Sequence, residues 1–508
     1  AVEEMPPVFA AMQKVYIKKP ISYVRLTNKE RDSVTDLEVS FYQASYMDSP
    51  TLCAEVDLLP AGESIDVPLL ASFNEAVFNT IDAVPLQGEI IAAYSYRGRV
   101  SGQSRSVTFN LQDRNSLVWD DDRKVGAFIT PKDSAVRNYA SFVSEEAREA
   151  TTDYLPRGLE FAMQVYHALG ALEVGYQSDP SSPFAEVQGS PVFIDSVSLP
   201  RETLRRGTGD CDDITVLFNT MLESVNVLTG IVTVPGHIYS AVDTGLAPRD
   251  FTRIHPDRDM TLVFDDSLWV LIEITLIGQA SFMDAWQTGM GEWHAHDENE
   301  KARNFYSTAA CQAEYNPVGL QEADIGLQYG NPEEFLSSYR EDLDRLSRII
   351  LEPFLDQAKA RNRPRTWNHL GVVAAQLKQY PGAEAAFSQA AAMDADYLSP
   401  RTNLGVLRFL LDDFEGALSA FRSAESAIAM DDSISPDIAL AININLAKTL
   451  HALGQYDEAA HYLSVAEGIN PTEAARHSYI AVAGIDSAGG RAASAADVAA
   501  LLFIDEGA

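Results

Sequence analysis

Cysteine is scarce in this chain: 508 residues hold three, Cys53, Cys211 and Cys311. A count that is low and odd argues against a disulfide-built scaffold. It leaves Cys53 and Cys311 able to pair and the redox compartment open. Positive charge is scarce too. There are 38 Lys and Arg against 73 Asp and Glu, a formal net charge of −35. Nucleic-acid binding needs basic patches and is excluded on that ground. Such a chain repels itself, stays soluble and favours cationic partners. No apolar run approaches the roughly 20 residues of a membrane helix. Neither His-Glu-x-x-His nor Cys-x-x-Cys occurs, and no metal or organic cofactor is expected. The chain begins at Ala1 without an initiator Met or a signal peptide. A processed form or a fragment is therefore expected.

The length suits about three domains. Residues 1–125 read as β-rich, with candidate strands at Lys14–Lys18, Ser22–Leu26, Leu37–Tyr42, Ser64–Leu69, Gly88–Tyr94 and Ser106–Leu111. Alternating apolar residues and dense turn signals predict a β-sandwich of immunoglobulin-like type. Asp120-Asp121-Asp122 reads as a solvated turn.

Residues 126–330 carry the chemistry. Asp133 is placed to cap a helix through Val136, Tyr139, Phe142 and Val143, and a second helix spans Leu159–Leu169. Then comes Gly207-Thr208-Gly209-Asp210-Cys211-Asp212-Asp213. Ile214, Leu217, Phe218, Met221, Leu222 and Val225 follow at helical spacing. The glycines allow a tight approach and Asp210 is a good N-cap, so Cys211 falls in the first helical turn. The helix dipole and free N–H groups there favour a thiolate and can hold an oxyanion. His237 follows Pro235-Gly236, 237 − 211 = 26 residues on; Glu273 ends Trp269–Glu273, 273 − 237 = 36 residues further. Met260–Phe264, a turn at Asp265-Asp266-Ser267 and Leu268–Ile274 read as a hairpin. This order suits a nucleophile, a base and an orienting acid.

These segments resemble the bacterial transglutaminase-like superfamily, a papain-like cysteine fold, over about residues 150–300. The resemblance lies in Gly-Asp-Cys at a helix start, Gly-His at a strand start and Trp-Val-x-x-acid-x-Thr, with Pro200–Arg206 as lead-in. It implies an α+β core with nucleophile Cys211, base His237 and acid Glu273. The family acid is usually Asp, often followed by proline; here Glu273 is one methylene longer and Ile274 follows. Tyr176 and Gln188 are polar residues upstream, and nothing in their spacing selects either as the second oxyanion donor. Asp179–Pro183 reads as a loop near the site. His294-x-His296 lies between helix-like flanks, where the two rings diverge by about 200°.

Asn331-Pro332 starts a connecting helix over residues 331–362. From residue 363 to 508 the chain repeats. Leu370, Gly371, Ala383, Phe387 and Ala390 recur as Leu404, Gly405, Ala417, Phe421 and Ala424, with 404 − 370 = 34. A third set (Leu446, Ala447, Ala459, Leu463, Ala466) stands 446 − 404 = 42 on, placing eight extra residues near Met430–Pro436. This is the tetratricopeptide (TPR) pattern, an all-α solenoid whose groove holds a protein or peptide partner. The Ala-rich stretch from residue 473, interrupted at Ser487–Gly490, reads as a partial unit or cap.

The sequence therefore predicts a multidomain cysteine-dependent amide or peptide hydrolase with partner-recruiting repeats, acting on a peptide or protein. Two alternatives are a catalytically inert interaction scaffold and an amine acyltransferase. The missing start and the sandwich lean toward a bacterial cell envelope or secreted location, with the cytoplasm left open.

Overall fold

A computed structural model describes residues 5–178, 188, 193–428, 435–481 and 502–507. Asp179–Pro183, most of Met430–Pro436 and Ser487–Gly490 lie outside the described residues. The chain divides into two compact units. The first comprises residues 1–147, 157–248 and 259–339; the second comprises 148–156, 249–258 and 340–508.

The first unit opens with a β-rich region. β1 (Val8–Phe9), β2 (Ser22–Thr27), β3 (Val34–Tyr42), β4 (Thr51–Leu59), β5 (Ser64–Leu69), β6 (Val84–Tyr96) and β7 (Arg99–Gln112) form two sheets. The larger has the order β1-β7-β6-β3-β4; the smaller pairs β2 with β5. Arg97 and Gly98 both have positive φ, which suits the two-residue hairpin joining β6 to β7. Alternate residues point inward, and Val24, Val67 and Leu69 share one core with Val39, Phe41, Ile90 and Phe109.

One strand expectation needs correction, and one strand is additional. Lys14–Lys18 forms turns, in which Lys18 and Lys19 donate to the Val15 carbonyl. Its alternation mimicked a strand, but Val15 is buried by folding back rather than by pairing. Strand β4 was not anticipated, because Glu55 and Asp57 mask its period; it lies at the end of the larger sheet, where its outer face meets water.

Short pairs then link the sheets to the rest of the unit. β8 (Ser116–Leu117) pairs with β10 (Asp195–Ser196), and β9 (Gly175–Tyr176) runs parallel to β11 (Thr208–Gly209). The helices are α1 (Ser134–Glu146), capped by Asp133, α2 (Arg157–Ala171), α3 (Pro200–Arg206), α4 (Cys211–Glu223), α5 (Phe282–His294) and α6 (Thr308–Glu314). A second five-stranded sheet is wholly antiparallel. It comprises β12 (Thr229–Val234), β13 (His237–Asp243), β14 (Leu262–Phe264), β15 (Ser267–Ile272) and β16 (Asn304–Ser307), in the order β14-β15-β13-β12-β16. Asp265 and Asp266 make the β14–β15 turn with positive φ; Ser267 already belongs to the strand.

The Asp120–Asp122 run is not a plain solvated turn. Asp120 pairs with Lys124, Asp121 holds Arg123 and the Tyr315 hydroxyl, and Asp122 accepts from Thr233 Oγ1 at 2.6 Å. A run of like charge is tolerated because each carboxylate has its own donor.

The helix α7 (Pro332–Arg361) begins in the first unit and ends in the second, where three helix pairs follow: α8 (Pro364–Gln376) with α9 (Tyr380–Met393), α10 (Leu398–Leu410) with α11 (Phe414–Ile428), and α12 (Pro436–Ala452) with α13 (Tyr456–Ile469). The short helix α14 (Pro471–Ala475) comes last. A Cβ on Gly371 would sit 2.5 Å from the Phe387 ring, and one on Gly405 would sit 2.9 Å from Phe421. Only glycine admits the large ring that fills each crossing, which is why these residues recur in phase. Helix α12 has 17 residues against 13 in α8 and α10, so part of the longer third offset is helix.

Candidate active site

Cys211 is the first residue of α4, and the Asp210 side chain accepts from the Asp213 N–H as N-cap. The lead-in segment braces this helix end. Arg206 Nη2 donates to Asp213 Oδ2 at 2.9 Å, and Arg201 forms a two-pronged pair with the buried Asp133 on the approach to α1. Deeper in α4, Asn219 donates to the Gly230 carbonyl at 3.0 Å and accepts from Ser240 Oγ at 2.5 Å. This buried amide ties α4 to β12 and β13 at once. An unpaired amide there would be costly, so the bridge holds the helix in one register on the sheet.

Pro235 and Gly236 make the two-residue turn that pairs Val234 with His237 and starts β13. Gly236 has φ +77, which suits the second position of a Pro-Gly turn. The His237 ring stacks on Tyr239, with centroids 5.5 Å apart. Glu273 follows β15, one residue past the Ser240–Ile272 pairing. His237 Nε2 and Glu273 Oε2 are 2.5 Å apart, while Thr275 donates its N–H and hydroxyl to the other oxygen of Glu273. Both acid oxygens are thus oriented, and Nε2 is committed, leaving Nδ1 of His237 for another partner. The Cys211 thiol lies against the backbone N–H of Ile238, the residue after His237. His237 and Glu273 are thus joined directly, and Cys211 lies beside the residue that follows His237.

The electrostatics differ from the expectation of a lowered thiol pKa. Burial, then the Asp210 charge and the Glu273 charge, push the Cys211 thiol up; the N–H groups of Ile238 and Asp212 only partly oppose them. Burial pulls His237 down, but its hydrogen bond to Glu273 and the charges of Glu273 and Glu292 outweigh it, and its pKa is raised. The His237–Glu273 pair therefore stabilises the fold below the ordinary histidine pKa of about 6.5. That contribution is lost as pH rises through the elevated folded value.

Glu292, on α5, was not anticipated. Its Oε2 lies 3.8 Å from His237 Nε2, is shut off from solvent and meets no hydrogen-bond donor. Burial and the Glu273 charge push it up to about 7. Its neutral acid form can share a proton with Glu273, so the site holds two carboxyl groups where one was expected. No local sequence pattern singles it out; the packing of α5 brings it to the pair. Because the folded protein binds this proton more tightly than the unfolded chain, stability should fall as pH rises from about 4.5 through about 7. Glu292→Gln should raise the melting temperature by roughly 2–4 °C at pH 8 and leave it unchanged at pH 4, read by calorimetry.

Of the two polar residues upstream, Tyr176 flanks the nucleophile. Burial raises its phenol, and the nearby Cys211 charge adds to that. Gln188 instead accepts from the Gly236 N–H at 2.7 Å, bracing the turn before His237. An open polar cavity of about 240 Å³ beside Asp210 is lined by Gln177, Ser178, Ser198, Arg206 and Asp213. All three cysteines are free thiols.

Two groups among the described residues bring ligand-type atoms within 4.8 Å of one another: His237, Glu273 and Glu292, and Asp210, Asp212 and Asp213. The first is joined by the 2.5 Å hydrogen bond. In the second, Ser198 and Arg206 hold Asp213, and burial drives Asp212 toward its neutral acid. His294 belongs to neither group; its ring nitrogens face Asp297 and the Asp259 carbonyl.

Residues 440–473 match the tetratricopeptide repeat family. They span most of α12, all of α13 and the start of α14. The helical region thus carries a TPR motif, a module of protein–protein interaction. A search of curated proteins finds no match. Among the described residues no helix is long and apolar enough to cross a membrane.

Proposed function

We propose that the first unit is a cysteine hydrolase with a papain-like, transglutaminase-like core, fronted by an immunoglobulin-like sandwich. The observation that carries this reading is the 2.5 Å His237–Glu273 hydrogen bond beside a cysteine at a helix N-terminus. The strand order supports the sandwich assignment: β2 and β5 in one sheet, β4-β3-β6-β7 in the other, and β1 parallel to β7.

In the proposed reaction, His237 Nδ1 takes the Cys211 proton as sulfur bonds to an amide carbonyl carbon. First-turn N–H groups of α4 and the Tyr176 hydroxyl receive the oxyanion. The C–N bond breaks, and the imidazolium returns the proton to the leaving amine. Water then attacks the thioester carbon, giving a proton to His237; the C–S bond breaks, the carboxylic acid leaves, and the imidazolium returns its proton to sulfur. Glu273 fixes the tautomer and stabilises the imidazolium. Since the resting thiol is pushed up, proton transfer accompanies attack rather than preceding it. The substrate class is a peptide or protein amide, water is the simplest acceptor, and the repeats recruit a protein partner. A cell-envelope or secreted location accords with this reading.

A second reading has its own support. A buried thiol beside Asp210 and Glu273 is disfavoured as a thiolate, which suits an inert scaffold built on the same fold. Iodoacetamide labelling from about pH 4 to about pH 9, followed by peptide mass spectrometry, separates the two. An active site predicts that Cys211 labels faster than Cys53 below pH 8 and slows at least 10-fold in His237→Ala. Labelling at an ordinary thiol rate, unchanged by the substitution, would support the scaffold.

A further inference from the structure

In the second unit, the first helices of the three repeats carry asparagines withdrawn from solvent: Asn368 on α8, Asn403 on α10 and Asn445 on α12. Their amides hold the main chain of the segment Leu502–Gly507. Asn445 accepts from the Leu502 N–H at 2.8 Å and donates to the Leu502 carbonyl at 2.9 Å. Asn403 makes the same pair with Ile504, at 2.8 and 2.9 Å. Asn368 adds a second donor to the Ile504 carbonyl at 2.9 Å, and Asn403 also donates to Asn368. Leu502 and Ile504 are alternate residues, so these amides read one edge of an extended strand.

The side chains are read as well. Phe503 stacks on Phe387, with centroids 6.2 Å apart. Asp505 pairs with His369 Nδ1 at 2.7 Å, and Glu506 accepts from Ser399 Oγ at 3.0 Å. Ile504 is buried. Main-chain pairs to asparagine accept any extended peptide; the ring stack and the two acid contacts select a sequence.

We propose that this groove is the partner site of the repeats. It takes an extended protein segment with the pattern apolar, aromatic, β-branched, acid, acid, and Leu502–Glu506 occupies it in cis as an autoinhibitory ligand. A partner carrying such a segment binds by displacing these residues. Covalent connection makes binding of the cis segment intramolecular, with an effective concentration that a partner has to overcome. A modest intrinsic contact therefore suffices to hold it, and a partner must exceed that. The inference deepens the partner-binding reading of the repeats and is independent of the cysteine chemistry.

The probe is a fluorescein-labelled peptide of residues 502–507, titrated by anisotropy against the full chain. The wild type should bind it at least 10-fold more weakly than a Phe503→Ala/Asp505→Ala double variant. Adding Asn403→Ala to that variant should remove the gain. A folded double variant that binds no tighter than wild type overturns the proposal. Peptide binding that survives Asn403→Ala overturns the groove assignment but leaves partner binding elsewhere on the repeats intact. Should the double variant unfold, hydrogen exchange on the wild type decides. Leu502 and Ile504 amides exchanging at least 10-fold faster than those of α12 would show release without unfolding. Exchange only together with α12 would make the segment a fixed structural element and overturn the proposal.

Discussion

Under the proposed cysteine-hydrolase mechanism, Cys211→Ala is expected to lower amide turnover by at least about 1,000-fold while leaving the fold intact. Removing a covalent nucleophile leaves only the residual catalysis of binding and oxyanion donors, so losses of about 10³-fold or more are the rule. Structure should survive because the change deletes one sulfur from a residue that caps no helix; the cap belongs to Asp210. The α4–sheet bridge through Asn219 and Ser240 is untouched. A stability cost near 1 kcal/mol is expected for one buried heavy atom. The decisive comparison is turnover of a peptide amide against the urea midpoint of the same preparation. Full activity in a folded Cys211→Ala protein would remove Cys211 from the mechanism.

Gly289→Ala is expected to destabilise the first unit by about 1–3 kcal/mol, at the upper end of that range, and to impair the site. A Cβ at Gly289 would stand 2.6 Å from the Leu271 carbonyl oxygen and 3.1 Å from the Glu273 nitrogen. Those are backbone atoms of β15 and the acid loop, so no side-chain rotation relieves the clash. Helix α5 must move outward. It would draw with it Glu292, one turn later, and the Gly289 carbonyl that accepts from the buried Tyr239 hydroxyl. The Ala285 carbonyl that accepts from the Glu273 N–H lies on the same helix. The His237–Glu273 geometry therefore depends on this close approach. Denaturant melts and turnover measured together should fall together; a variant with wild-type values in both would show that α5 does not position the acid.

Local signals carried much of this protein. The cap at Asp210 followed by six apolar residues at helical spacing placed Cys211 at the start of α4. Pro235-Gly236 placed His237 at the head of a strand, and β-branched runs marked the strands around it. Glycines facing phenylalanines at constant spacing marked the repeats. Each of these patterns is short-range, because helix caps, two-residue turns and alternation are properties of neighbouring residues. Where local pattern and tertiary pairing diverged, local reading failed. Lys14–Lys18 alternates yet forms turns, and β4 pairs as a strand although its carboxylates resemble a loop.

Read alone, the chain was enough to place the helices and strands around Cys211 and His237, the turn before His237 and the register of the repeats, though not β4 or the turns at Lys14–Lys18. Tertiary structure alone decided that Glu292 joins the acid, that Asn219 ties α4 to two strands, and that burial with two carboxylates pushes the Cys211 thiol up rather than down. It also decided that Leu502–Gly507 fills the asparagine-lined groove of the repeats. The physical reason is common to all four. Burial, charge proximity and hydrogen-bond satisfaction depend on groups brought together from distant parts of the chain, and no short window of sequence records which groups will meet.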